Sequence, residues 1–260
     1  MALPRPQSIP VLLLVKTAFQ ILWQQRDDAL RLGLIPTLIC FGGFLYGASS
    51  LKQAGALFQS GMMTPMPPDV SLGIFSTLLV VLLATGLVMA NWLRFMLLGP
   101  MGAVGLGLSI GRPHVSFLVW CVVLGFAGGI ALSVLSMPML LLPGMLAWVG
   151  MVVALVVVLV LVARLTPFLI GQVIVQPMSL QQAWSASRGN GISLTSALIL
   201  VQVPLWIAAS VLREILLAIG FADMAPLAML FIAAVFQMVT AILQASILAA
   251  AFRQMVGIRA

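Results

Sequence analysis

Side chains able to act as acid, base, nucleophile or metal ligand are few and scattered in this 260-residue chain. The acids are Asp27, Asp28, Asp69, Glu214 and Asp223, the histidine is His114, and the cysteines are Cys40 and Cys121. A zinc site needs three or four His, Cys or carboxylate ligands brought together, and hydrolytic chemistry needs a base or second carboxylate beside the first group. The spacing offers neither. The cysteines have no CxxC partner and lie in apolar runs, where they read as small buried hydrophobes. His114 follows Arg112 and Pro113 at a helix start, which suits a surface or capping role. Catalysis is therefore not expected, and no cofactor is called for. One soft-ligand reading stands beside this: Met62, Met63 and Met66 in GMMTPMPPD carry thioethers of the kind that select Cu(I). Methionine is equally a flexible hydrophobe suited to a loop that dips into lipid or grips a partner.

The elements that must position these groups follow from composition. Hydrophobic residues make up 63% of the chain and charged residues 7%, where soluble domains carry roughly 25% charged. A hydrocarbon core about 30 Å thick takes about 20 apolar residues per helix, and its backbone polar groups must be satisfied inside helices or closed barrels. Long continuous runs favour helices. The expected fold is an all-α integral membrane protein, one domain over residues 1–260, with spans at about 32–51, 72–93, 115–136, 144–163, 193–212 and 226–252. Residues 8–25 place Leu12, Val15, Phe19 and Leu22 opposite Lys16, Gln20 and Gln24, the pattern of an interfacial helix lying flat. Lys52 to Val70 is expected to be an irregular, extended loop because of its prolines. No small-x-small cleavage pattern follows the apolar run Ile9–Val15, so the first span is expected to act as an uncleaved anchor.

The plan of the chain turns on Met151 to Gly191. A very apolar run reaches Arg164, continues through Pro167 as a kink, and gives way to MSLQQAWSASRGNG. There Ser179 and Gln182 form a capping box, Leu180, Ala183, Trp184 and Ser187 make the less polar face of a helix at 179–188, and Gly189 supplies a stop. Arginines with a turn former or acid precede each odd span (Arg26, Arg112, Arg188), and Arg94, Arg164 and Arg253 end each even one. Three hairpins in series produce this pattern, by duplication or simply by the charge rule for an even-numbered bundle.

Charge sets the orientation. Under this topology Arg5, Lys16, Arg26, Arg31, Arg94, Arg112, Arg164, Arg188, Arg253 and Arg259 share the side of the termini, with Lys52 and Arg213 opposite. That ten-to-two split of the 12 basic residues places both termini, and the interfacial helices, in the cytoplasm. The net charge of +7 is spread singly along the edges of apolar runs, which points to anionic lipid headgroups and away from nucleic acid. Arg94, Arg112, Arg164, Arg188 and Arg253 are the candidate headgroup cations; topology and snorkelling alone would also put them there.

All five acids fall at interfaces or in loops, which argues against proton-coupled carriers, since those use a titrating group within the bilayer. Gln202, Gln237, Thr240 and Gln244 fall inside spans, either as cross-helix hydrogen-bonding glue or as the lining of a path for a small solute or lipid. Gly43 with Gly47, and Gly125 with Gly129, have the spacing that lets helices approach closely. The layout, with Arg164 followed by SLQQAWSASRGNG, resembles uncharacterised bacterial six-helix inner-membrane proteins and the membrane domain attached to some glycerophosphoryl diester phosphodiesterases. The resemblance implies residence in a bacterial inner membrane and carries over no catalytic residue, since the soluble barrel is missing. A non-catalytic accessory, assembly or scaffold role, with another membrane protein as possible partner, is the expectation.

The topology is open to test by thiol labelling with Cys40 and Cys121 replaced by Ala. Lys52→Cys should react with an impermeant maleimide in intact cells and Arg188→Cys only after permeabilisation; the opposite pattern would invert the orientation.

Overall fold

The computed structural model describes residues 9–59, 66–102, 110–141, 143–176, 178–221 and 225–256. Among these there is no strand. The helices are α1 (Val11–Gln24), α2 (Arg26–Gln59), α3 (Pro68–Leu98), α4 (Arg112–Ser136), α5 (Met145–Arg164), α6 (Thr166–Val173), α7 (Leu180–Ala186), α8 (Gly191–Ala218) and α9 (Pro226–Val256), with 3-10 turns at Pro100–Gly102 and Met137–Leu141. Six helical stretches are long and apolar enough to cross a membrane, with mean hydropathy from 1.6 to 3.0 in their best windows. This is the architecture of a multi-pass membrane protein.

The bundle is organised around α9, which packs against α1, α2, α3, α6 and α8. Its sequence explains why. Ala241, Ala245 and Ala249 recur at i, i+4 and i+8, and each is at most 1% exposed, so neighbouring backbones can come close on that face. At its centre Ser246 accepts a 2.7 Å hydrogen bond from the Trp92 indole N–H of α3, both residues being fully buried. That bond gives a large aromatic its polar partner where water is absent. Between α2 and α3 the contact is equally close. A Cβ on Gly43 would lie 2.8 Å from Val80 Cγ1, and one on Gly47 would collide with the Thr77 side chain.

The α1 helix corrects the expected amphipathic face. Leu14 and Ala18 are fully buried, while Leu12 is 74% and Phe19 47% exposed. The helix leans its 14–18 face on α8 and α9, because small Ala18 permits close approach, and turns Leu12, Phe19 and Trp23 outward. Lys16, Gln20 and Gln24 stay exposed and Val15 and Leu22 of the expected face do pack against the core, so the buried stripe is shifted toward Leu14 and Ala18 and not replaced. The expected loop is also corrected at its start, since α2 runs unbroken to Gln59. LKQAGALFQ holds mostly good helix formers, and Lys52 marks a water boundary without ending hydrogen bonding. The prolines act later, with Pro68 as the first residue of α3.

Overpacking the α9 seam tests this arrangement. Ala245→Leu should cost about 1 to 3 kcal/mol, read as a lower thermal midpoint in detergent, whereas Ala233→Leu, at an exposed position of the same helix, should leave the midpoint unchanged.

Candidate functional site

The most apolar span ends at Arg164, and the residues that follow build a pocket around it. Leu165 breaks the helix, Pro167 stands in the first turn of α6, and α6 turns into the bundle with Thr166, Phe168, Ile170 and Val173 buried. Ser116 of α4 donates to Gln172 Oε1 at 3.0 Å, and Trp120 meets Phe168 edge-on, with centroids 4.8 Å apart. The chain then reverses at Val175, whose φ of 60 is unusual for a β-branched residue, while the Gln176 N–H bonds to Gly171 O. The expected capping box is present: Gln182 N–H donates to Ser179 Oγ at 3.2 Å, and Ser179 N–H to Gln182 Oε1 at 2.9 Å. Gly189, at φ 83, lets the chain turn from α7 into α8, and Asn190 Oδ1 accepts from the buried Ile9 N–H at 3.1 Å.

These turns lay α7 across the end of α5. The Arg164 guanidinium carbon stands 3.5 Å from the Trp184 ring centroid, and its Nη2 donates to Trp184 O at 3.1 Å. The stem of Arg164 runs over Gly191, where a Cβ would come within 2.7 Å of Cγ; only glycine fits there without moving the arginine. Its Nε is buried and has no acceptor, an arrangement that ordinarily costs about 1 to 3 kcal/mol or more for a charged group. Beside it lies a cavity of about 630 Å³, with Val160, Gln181, Trp184, Ser185, Arg188 and Ile192 on its walls. Among the described residues, two arginines and no carboxylate line it. Such a cavity can hold an oxyanion.

The other arginines differ. Arg94 donates from Nε to Gly102 O at 2.9 Å and from Nη1 to Val173 O at 2.6 Å, and Arg253 donates to Met96 O. Both guanidiniums thus engage carbonyls at or beyond the ends of α3 and α6, a role that the reading of these residues as headgroup cations did not include. Arg112 is exposed at the start of α4 and does not line the pocket. His114, expected at the surface, is 4% exposed. Its capping role is real: Nδ1 accepts from Gly111 N–H at 3.2 Å, while Nε2 faces Asn91 Oδ1 at 3.1 Å. With Nδ1 as acceptor, the neutral ring carries its proton on Nε2.

No protein-family model, curated protein or solved structure matches this chain.

The intramembrane polar residues are held in separate contacts. Gln244 donates to Gln202 Oε1 at 2.5 Å between α9 and α8, Gln237 donates to Thr85 Oγ1 at 3.4 Å toward α3, and Thr240 bonds back to Phe236 O. Gly125 and Gly129 have open space where a Cβ would stand, so this pair does not mediate a contact within the chain. Met62 and Met63 lie outside the described residues, and Met66 is partly buried ahead of α3. Among the described residues no group of His, Cys, Asp or Glu could hold a metal ion.

The Arg164–Trp184 stack should show up as coupling. A double-mutant cycle of Arg164→Met and Trp184→Leu, read by unfolding in detergent, should give an interaction energy of about 0.5 to 2 kcal/mol, with Arg112→Met and Trp184→Leu additive.

Proposed function

We propose that the protein is a non-catalytic accessory or scaffold component of a bacterial inner membrane, with both termini cytoplasmic, that works through helix contacts and through an anionic lipid headgroup seated at Arg164. The observation that carries this reading is the arginine pocket at the end of α5, where Arg164 and Arg188 meet no carboxylate among the lining residues. Most of the arginines lie on one side by the charge rule, and a cavity with two arginines just beyond an apolar span is where headgroup phosphates would be met.

Three hairpins in series, α2 with α3, α4 with α5 and α8 with α9, are consistent with the packing neighbours. The pairing of Gln244 with Gln202 and of Gln237 with Thr85 supports cross-helix glue over a shared solute path, because the two contacts face different helices. The open Gly125–Gly129 face of α4 leaves apolar helix surface to be covered by lipid or by another membrane protein.

Isolation from the native membrane in mild detergent, after cross-linking in cells, tests the proposal. A larger assembly containing a second membrane protein and retained anionic lipid is the expected result; a monomer free of both would overturn it.

A further inference from the structure

Every formal charge on the pocket wall is positive. Arg164 is fixed there by the Trp184 face and carbonyl, and Arg188 stands exposed on the rim. Among the described residues no carboxylate lines the cavity, so a headgroup that brings an ammonium beside its phosphate would find no counter-charge there and would meet two arginines. Gln181 adds a neutral amide donor that suits an ester oxygen, while the Ser185 hydroxyl already donates to Gln182 O at 2.8 Å. Toward the span the wall changes character: Val160 of α5 and Ile192 of α8 are apolar, and Ile192 is 71% exposed. A cavity of about 630 Å³ exceeds what one phosphate needs and falls in the range of small-molecule sites, roughly 300 to 1,000 Å³. The ligand that matches polar and apolar walls together is an amphiphile.

We infer that this pocket selects a glycerophospholipid whose phosphate carries no ammonium, with a phosphate monoester preferred. The phosphate sits between Arg164 and Arg188, a glycerol ester faces Gln181, and an acyl chain runs down the seam of α5 and α8 from Val160 and Ile192. The monoester ranks first on charge: at neutral pH it carries about −1.5 to −2, against two arginines, whereas a diester carries one negative charge. Arginine suits it further because its planar fork can bind two phosphate oxygens at once. This assignment rests on the lipid-docking reading above and narrows it to one class of headgroup.

Native mass spectrometry of the full chain in detergent, titrated with single lipids, tests it. Phosphatidic acid should give one tight adduct, with phosphatidylethanolamine of the same acyl chains binding at least tenfold more weakly. Arg188→Ala, at an exposed position where folding is not at stake, should bring phosphatidic acid down to the phosphatidylethanolamine level, while Arg112→Ala leaves it tight. Inorganic phosphate at millimolar concentration should not displace the lipid; displacement would make the site a free-phosphate site and overturn the lipid assignment. Tight binding of both lipids within twofold, or no effect of Arg188→Ala, would overturn the headgroup selectivity while leaving lipid docking in place. Absence of any retained lipid would remove both readings.

Discussion

A helix that ends near a hydrocarbon core leaves carbonyls without partners, and in this protein arginines supply them. Arg94 reaches from α3 to Val173 O at the last turn of α6 and to Gly102 O just past its own helix; Arg253 reaches from α9 to Met96 O in the last turn of α3. The bonds to Val173 O and Met96 O join a full positive charge to the negative end of a helix dipole, where it is worth most. Together they tie α3, α6 and α9 at one end of the bundle. The buried turn of α6, and through it the position of α7, depends on that tie. Cations that look like topology markers in the sequence thereby become part of the packing.

Arg164 is held in another way. No helix-end carbonyl of a neighbouring span takes it; a tryptophan face and the Trp184 carbonyl do. Stacking on an aromatic ring fixes the plane of the guanidinium and leaves donors over. Gly191 is the condition for this placement, since any larger side chain at the start of α8 would displace the arginine stem. The pocket is thus a by-product of three local necessities: a break after a very apolar span, a capped surface helix, and a glycine start to the next span.

Much of this architecture was legible in the sequence. The six spans stand out because hydropathy is a strong signal, although most of the helices overrun the apolar segment that announces them, α5 at Met145–Arg164 being the exception. Lys52 and Arg94 both lie inside helices, because a charge interrupts an apolar run without interrupting backbone hydrogen bonding. The capping box at Ser179 and Gln182 was legible because it is local, needing only two side chains three residues apart. Packing was not. The buried face of α1 centres on Leu14 and Ala18, since the stripe of Lys16, Gln20 and Gln24 tells which side stays exposed but not which of the apolar residues meet protein. The Ala241, Ala245, Ala249 series of α9 did offer a signal, in the same four-residue spacing recognised for Gly43 and Gly47, but alanine is too common in apolar helices to stand out. At the site, Arg164 and Arg188 could be nominated from their position, while the separate fates of Arg94 and Arg253 depend on which helix ends lie beside them.

The hydrogen bond from Ile9 N–H to Asn190 Oδ1 joins residues 181 apart. A ribosome adding about 5 to 20 residues per second needs on the order of 10 to 40 s to cover that distance. Throughout that interval the first helix has neither its acceptor nor the α8 and α9 surfaces on which Leu14 and Ala18 come to rest. Until then its Leu14 and Ala18 face has no surface to pack on. Its seating is therefore a late event in biogenesis, reached only when the last two spans have been inserted.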